Sequence, residues 1–156
     1  NLCDLIIAAD NAVFGDPMPR MGSAGVECHV HPWVLPPRIA KEILFTGGTI
    51  DAKTALQYGM VNQVVPLEEL DQRTLELAEK IAMMPPFAVS MAKNSVNRMM
   101  DIMGFYNALN AFFDTHILMH FTEEREVLFN KARDNAKSVK ELITNRDKKF
   151  AEPPNP

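Results

Sequence analysis

The sequence predicts an α/β fold in which short strands come first and helices follow. Two runs near the start, "DLIIAAD" (4–10) and "NAVFGDP" (11–17), are short and apolar and end at acids, glycine or proline. Such bounded runs are typical of buried strands. From Leu67 onward, apolar residues recur at helical spacing instead. The two patterns together indicate two or three strands followed mainly by helix.

The next elements are marked by prolines and glycines. Residues 18–31 have no clear period and are expected to form a loop. A helix should start at Pro36 and Pro37, where proline suits the first turn, and end at Gly47 and Gly48. A second helix should run from Asp51, as N-cap, to Gly59. "VNQVV" (61–65) then predicts a short strand that Pro66 ends.

The second half predicts helices and a division of the chain. "MPP" (84–86) should separate a first helix from one over 86–101, and an apolar stretch should follow from Met103 to Phe121. The charged run 122–149 predicts one further helix. We therefore expect a core at 1–66, a helical region at 67–150 and a frayed tail at 151–156.

Composition and charge narrow the class of protein. Of the 156 residues, 47% are hydrophobic and 23% are charged, which is ordinary for a soluble globular domain. The net charge of −4 argues against a nucleic-acid partner. No run reaches transmembrane length and no secretory signal opens the chain, so we expect a cytoplasmic protein without membrane contact. Cys3 and Cys28 suggest no disulfide framework.

Three segments carry a resemblance to a known family. "CDLIIAADNAVFGDP…RMG" resembles the middle of the crotonase family, also called the enoyl-CoA hydratase/isomerase superfamily. "TGGTIDAKTALQYGMVNQVVP" and "PPFAVSMAKNSVN" resemble the segments that follow in that family. The resemblance covers roughly residues 2–97, and its motifs are specific only in combination.

The resemblance implies a fold and an assembly. Crotonase-like (ClpP/crotonase) domains are spirals of ββα turns followed by helices that build a trimer, or a hexamer made of two trimers. The resemblance places Asn1 at the end of the helix before the central "CDL" strand. We therefore expect this chain to be the C-terminal part of a longer domain, supplying the last turns of the spiral and the oligomerising helices.

The resemblance also implies a chemistry. The family stabilises the enolate of a thioester with two backbone N–H groups directed at the thioester oxygen. Both donors would come from segments before Asn1, so the fragment alone is expected to be inactive. No metal or redox cofactor is implied, and coenzyme A enters only as part of an acyl-CoA substrate.

One position departs from the family's pattern. Hydratases of the family carry a catalytic glutamate after the proline of "FGxPE", and Met18 stands there in "FGDPM". A thioether cannot transfer protons, which leaves three interpretations: an acyl-pocket wall beside a different base, a degenerate member, or a shifted register in which Asp16 serves as the acid. The candidate substrate-binding residues are Phe14, Asp16, Met18, Met21, Gly22 and Trp33.

The densest reactive cluster follows in "GVECHVHPW". In an extended segment Glu27, His29 and His31 point to one side, and a histidine beside an acid makes a general base near neutral pH. These three are the candidate catalytic residues. The alternative is a loop that packs on a neighbouring subunit, with His31 and Trp33 buried and hydrogen-bonded. Two histidines and one glutamate are too few ligands to predict a metal site.

The C-terminal half offers two further predictions. "NRDKKF" resembles the family's closing basic stretch, so Arg146, Lys148 and Lys149 are candidates for contact with the CoA nucleotide; the alternative is a solvated charged face. The apolar stretch 103–121 should form the contact of a homo-oligomer. His116 and His120, four residues apart, are expected at the surface or in that contact.

The sequence thus predicts an acyl-CoA-processing protein of the enoyl-CoA hydratase/isomerase family that acts through a stabilised thioester enolate. Because Met18 replaces the usual glutamate, other reactions through the same enolate stay open: double-bond isomerisation, thioester hydrolysis and C–C cleavage. From a different class, a non-catalytic acyl-CoA-binding protein also fits.

Overall fold

Short strands and eight α-helices carry the fold of the described residues, which are 2–23, 30–148 and 150 in the computed structural model. The strands are β1 (Ile7–Ala9), β2 (Val13–Gly15), β3 (Thr49–Asp51) and β4 (Gln63–Val65). The helices are α1 (His31–Val34), α2 (Pro37–Thr46), α3 (Ala52–Gln57), α4 (Leu70–Ala82), α5 (Pro86–Ile102), α6 (Phe105–His120), α7 (Glu123–Asp134) and α8 (Val139–Lys148). Two 3-10 helices, Met18–Met21 and Leu67–Glu69, complete the set.

The strands form two small sheets. β1 pairs in parallel with β4, with Ile7 opposite Gln63 and Ala9 opposite Val65. β2 pairs antiparallel with β3, with Phe14 opposite Ile50. Parallel neighbours need a long connection, and here that connection contains β2, the candidate site, α2, β3 and α3. The segment that contains the candidate site therefore lies, in sequence, between two strands that pair with each other.

The core lies where α2 and α3 meet these strands. Apart from Met60, its buried side chains are small or branched, which lets helix and strand approach closely. They are Ala8, Leu35, Ala40, Ile43, Ala52, Ala55, Met60 and Val61. Phe14 and Tyr58 pack against this cluster from its edge. The core thus belongs to the segment before residue 66.

The predicted ends of α2 and α3 are confirmed. Gly47 ends α2 in the left-handed conformation, with φ of 62°. The Asp51 side chain accepts the Thr54 backbone N–H at 2.7 Å and so caps α3. Hydrogen bonding to Thr54, through its side chain first and its backbone N–H second, stabilises the carboxylate and lowers the pKa of Asp51.

The prediction of one helix over 122–149 is wrong. α7 ends at Asp134, where the Asn135 side chain donates to the Lys131 carbonyl at 2.7 Å. A new N-terminus follows, because Ser138 Oγ accepts the Glu141 N–H while Glu141 accepts the Lys137 N–H. Ser138 is thus the N-cap of a new helix, and Glu141 binds the residue before that cap, so α8 starts separately.

The prediction that residues 18–31 form a loop is wrong at both described ends. Met18–Met21 is a 3-10 helix, and α1 begins at His31 after Val30, which has helical dihedral angles. Pro32 occupies the first turn of α1, which explains the helical start. The extended arrangement expected for the histidine cluster therefore fails at His31, whereas Glu27 and His29 lie outside the described residues.

The helices after residue 70 bury little of their own surface. Among the described residues of α4 to α8, His116 is the one buried side chain, at 4% exposure. His116 is therefore not at the surface of this chain, since its ring packs against Phe112 and Phe113, and its place in a subunit contact stays a prediction. Its Nε2 lies 3.0 Å from Nε2 of His120. No helix in the described ranges is both long and apolar enough to cross a bilayer.

Candidate functional site

The candidate site is built around the turn that joins β2 to the 3-10 helix Met18–Met21. Asp16 follows β2 directly, and its Oδ1 accepts the Met18 backbone N–H at 3.0 Å. Such a bond from an aspartate to the backbone two residues on fixes a tight turn. Gly22 ends the 3-10 helix in the left-handed conformation, with φ of 73°. The backbone around Met18 is thus held by Asp16 on one side and Gly22 on the other.

Asp16 faces a buried histidine. The two residues are 3% and 7% exposed, and His31 Nε2 lies 3.9 Å from Asp16 Oδ2. That separation exceeds a hydrogen bond but allows electrostatic attraction. Burial lowers the pKa of His31 below its ordinary 6.5, and the Asp16 carboxylate opposes this shift. His31 is therefore a neutral imidazole near neutral pH.

One cavity of about 410 Å³ lies on the β2 side of this turn, and we name it the β2 cavity. Its walls are mostly apolar, and His31 is the titratable nitrogen base in its described lining. The lining residues are Cys3, Ile6, Val13, Phe14, Gly15, His31, Leu35, Ile43 and Met60. The volume is within the range of small-molecule sites.

A second cavity of about 380 Å³ lies between the 3-10 helix and α7 and α8, and we name it the arginine cavity. Its lining combines apolar side chains with three cationic ones. The lining residues are Pro19, Arg20, Met21, Leu128, Phe129, Lys131, Ala132, Asn135, Leu142, Asn145, Arg146 and Phe150. Met18 therefore stands in sequence between Gly15 of the β2 cavity and Pro19 of the arginine cavity.

The Asp147 carboxylate accepts hydrogen bonds from both arginines of this cavity. Arg146 holds its carboxylate with two hydrogen bonds of 2.7 and 2.8 Å, and Arg20 adds one of 3.2 Å. These bonds lower the pKa of Asp147 and raise that of Arg146. Arg146 also donates to the Met21 sulfur at 3.6 Å. The charges thereby fasten α8 to the turn.

The structure brings several predicted residues together in these cavities. Phe14 and His31 share the β2 cavity, and Met21 and Arg146 share the arginine cavity. Trp33 instead packs edge-on against Phe105, with ring centroids 5.2 Å apart.

The other predicted residues lie apart from the two cavities, or outside the residues that the structure describes. Gly22 approaches α7, where an added Cβ would lie 3.3 Å from Leu128. Lys148 is exposed at the end of α8. Glu27, His29 and Lys149 lie outside the described residues.

Arg20 and its contacts with Asp147 and Phe150 were not predicted from the sequence. The Arg20 guanidinium stacks on the Phe150 ring at 4.7 Å, and its side chain lies against Gly47. One signal was available, because Arg20 is the lone cation in "GDPMPRMG". Its partners are more than 100 positions away, and no local pattern points to them.

In the part of the chain that the structure describes, no three His, Cys, Asp or Glu side chains are grouped so that they would hold a metal ion.

The turn, the paired small sheets and the following helices match one protein family. A model of the enoyl-CoA hydratase/isomerase family matches residues 1–127, and the chain belongs to this family. The predicted α/β, crotonase-like fold is confirmed by solved relatives. The chain is similar to an enoyl-CoA hydratase/isomerase from Xanthobacter autotrophicus Py2, with 31% identity, 96% of this chain and 56% of that one covered, and a TM-score of 0.84.

Two further relatives come from mycobacteria. A protein of Mycobacterium tuberculosis named as the enoyl-CoA hydratase EchA13 is 45% identical over 119 residues, covering 76% of this chain and 37% of the relative. A structure described as a probable enoyl-CoA hydratase from Mycobacterium smegmatis is 55% identical, with a TM-score of 0.74, covering 76% of this chain and 48% of that one. The chain thus spans about half the length of its solved relatives, and less of the curated one.

Proposed function

We propose that the full-length protein binds an acyl-CoA thioester and converts it through a stabilised enolate. The observation that carries this proposal is the family match over residues 1–127, which includes the turn around Met18. The relatives' names point to the same substrate class, since they are enoyl-CoA hydratases.

In the proposed step, a base removes a proton from the carbon next to the thioester carbonyl. The C–H electron pair moves into the carbonyl, and the thioester oxygen becomes negative. Two backbone N–H groups, which the proposal places outside these 156 residues, stabilise that oxygen. Met18 contributes an apolar wall and no proton, because a thioether has no titratable hydrogen.

We assign the base to the segment that holds Glu27, His29 and His31. His31 is the described member, and it meets two requirements of a general base: it lines the β2 cavity, and its lowered pKa keeps it unprotonated near neutral pH. Glu27 and His29 stay candidates for the same role.

The basic C-terminal end is proposed to contact the CoA nucleotide. Arg146 is already engaged with Asp147 and Met21. Lys148 is exposed at the end of α8, which favours it for phosphate contact, and Lys149 stays a candidate beside it.

Isotope exchange tests the proposed function. Butyryl-CoA is incubated with the full-length protein in deuterated water, and loss of the α-proton signal is followed by NMR. We expect exchange well above that of a protein-free sample, because the enolate returns to thioester by taking a deuteron. His31→Gln should slow this exchange by about 10²-fold or more if His31 is the base, whereas the exposed Arg73→Gln should not.

A second function, acyl-CoA binding without catalysis, is favoured by Met18. Binding of butyryl-CoA measured by calorimetry separates the two. Binding without exchange supports the non-catalytic alternative, and absence of binding contradicts both. Isomerisation, thioester hydrolysis and C–C cleavage share the enolate, so the exchange test supports all of them equally.

We also propose that the full-length protein is a homo-oligomer, a trimer or hexamer. The proposal is supported by the apolar side chains that α5 and α6 leave exposed, such as Phe87 at 76% and Ile102 at 72%. Large uncovered apolar surfaces are typical of contacts between subunits.

A further inference from the structure

The arginine cavity carries more positive charge than its own carboxylate neutralises. Two guanidinium groups, from Arg20 and Arg146, share the single carboxylate of Asp147. Lys131 adds a third cation and makes no ion pair with any described residue. The described lining itself contains no aspartate or glutamate. An anion entering the cavity would therefore meet uncompensated positive charge.

The cation nearest the turn is held in place before any ligand arrives. Arg20 stacks on Phe150, and its side chain lies so close to Gly47 that an added Cβ would be 2.7 Å from Arg20 Cγ. Among the described residues, its guanidinium makes one hydrogen bond, through Nη1 to Asp147. A fixed guanidinium with unused donors suits a planar carboxylate well, since both groups bond in pairs.

The remaining walls suit an apolar chain. Leu128, Phe129 and Leu142 also line the cavity. The volume of about 380 Å³ is that of a small-molecule site. A ligand that fits these walls has an apolar body and an anionic end.

The position of the cavity connects it to the site turn. Its first wall is Pro19 to Met21, immediately after Met18. Its other walls come from α7 and α8, beyond the end of the family match at residue 127. The cationic lining thus combines Arg20, which lies within the family match, with Lys131 and Arg146, which lie beyond it.

We propose that the arginine cavity selects acyl-CoA substrates whose acyl chain ends in a carboxylate, with Arg20 as the residue that recognises it. The thioester carbonyl lies on the other side of the turn, and the acyl chain passes Met18 to reach the cavity. This inference rests on the proposed function, because it names the substrate class of that same site.

Matched thioesters test the proposal on the full-length protein by calorimetry. Adipyl-CoA and hexanoyl-CoA have equal chain lengths and differ in the distal carboxylate; suberyl-CoA and octanoyl-CoA give a longer pair. We expect about tenfold tighter binding of the carboxylated member in at least one pair, as for a charge-assisted hydrogen bond. Arg20→Gln should remove the preference, whereas Arg73→Gln, on exposed α4, should retain it.

Each other outcome has a definite meaning. Equal affinities within both pairs overturn the inference and leave the proposed function standing. If no acyl-CoA binds, the proposed function fails as well. If Arg20→Gln weakens free CoA as much as adipyl-CoA, the cavity binds a CoA phosphate and the inference is wrong. The comparison of paired ligands on the unmodified protein needs no variant, so a folding defect in Arg20→Gln does not affect it.

Discussion

The backbone turn at Met18, where the family resemblance predicts a proton-transfer residue, is held in place by the neighbouring residues. The turn depends on the Asp16 carboxylate, which accepts the Met18 N–H, and on the left-handed Gly22. Both are properties of the neighbours, and only the backbone of Met18 takes part. A change of side chain at this position therefore alters the chemistry of the site and leaves its shape.

His31 should make stability depend on pH. Its folded-state pKa lies below 6.5 because burial disfavours the charged ring. As pH falls through about 6.5, the unfolded chain takes up a proton that native His31 resists, so the free energy of unfolding decreases. We expect this decrease between about pH 7.5 and about pH 5.5, and a smaller one in His31→Gln. Urea denaturation at the two pH values measures both.

The comparison between the two proteins isolates His31, because both proteins contain every other histidine. An unchanged pH dependence in His31→Gln would show that His31 is not held neutral by burial.

At the residue scale, the sequence predicted the local features and missed the distant ones. The Asp51 cap and the Gly47 stop follow from neighbours in sequence, so their patterns are visible. Arg20 contacts Asp147 and Phe150 from the other end of the chain. Nothing beside Arg20 distinguishes it from a solvated cation, and so the arginine cavity could not be predicted.

At the scale of helices and strands, the residue pattern did not predict the break between α7 and α8. The charged residues of 122–149 are typical of a helix along the whole run, so the sequence predicted one helix. The break can be recognised in "SVKE", since the Ser138 side chain accepts the Glu141 N–H as an N-cap. This break lets α8 turn back onto the 3-10 helix, where Asp147 meets Arg20. Without it the arginine cavity would lack its second helical wall.

A pair of glycine variants measures how closely α2 and the site turn approach. Gly47 and Gly59 both have positive φ, 62° and 76°, so alanine should cost each about 1–2 kcal/mol of backbone strain. An alanine Cβ at position 47 also meets Arg20 Cγ at 2.7 Å, whereas at position 59 it meets no atom within 4 Å. We expect Gly47→Ala to lower the free energy of unfolding by at least about 1 kcal/mol more than Gly59→Ala.

Urea denaturation of both variants supplies the measurement, with Gly59→Ala as the matched control. Equal losses would mean that Arg20 does not rest on Gly47, and would remove one support of the arginine cavity.

The whole molecule exposes far more surface than its mass requires. Its accessible area is 11477 Å² for 17.5 kDa, whereas a compact monomer of that mass exposes about 7,900 Å². Much of the excess belongs to α4 to α8, whose described residues bury one side chain. These helices leave a large surface for other protein to cover.

We expect this surface to hold the full-length protein in a homo-oligomer. Phe121, which is 83% exposed at the end of α6, belongs to the apolar stretch 103–121. Phe121→Asp should shift the sedimentation of the protein to smaller species, because a charge replaces apolar contact area. Lys53→Glu, a charge change at an exposed position of α3, should leave the assembly intact. A monomeric wild type in analytical ultracentrifugation would contradict the proposed assembly.

We propose that this family member presents an apolar residue, Met18, where proton transfer is needed for hydration. The most direct measurement is the rate of crotonyl-CoA hydration by the full-length protein and by its Met18→Glu variant, with Met83→Glu, at an exposed methionine, as control. We expect negligible hydration of crotonyl-CoA by the wild type and by Met83→Glu, and a higher rate of hydration by Met18→Glu. Efficient hydration by the wild-type protein would contradict the proposal.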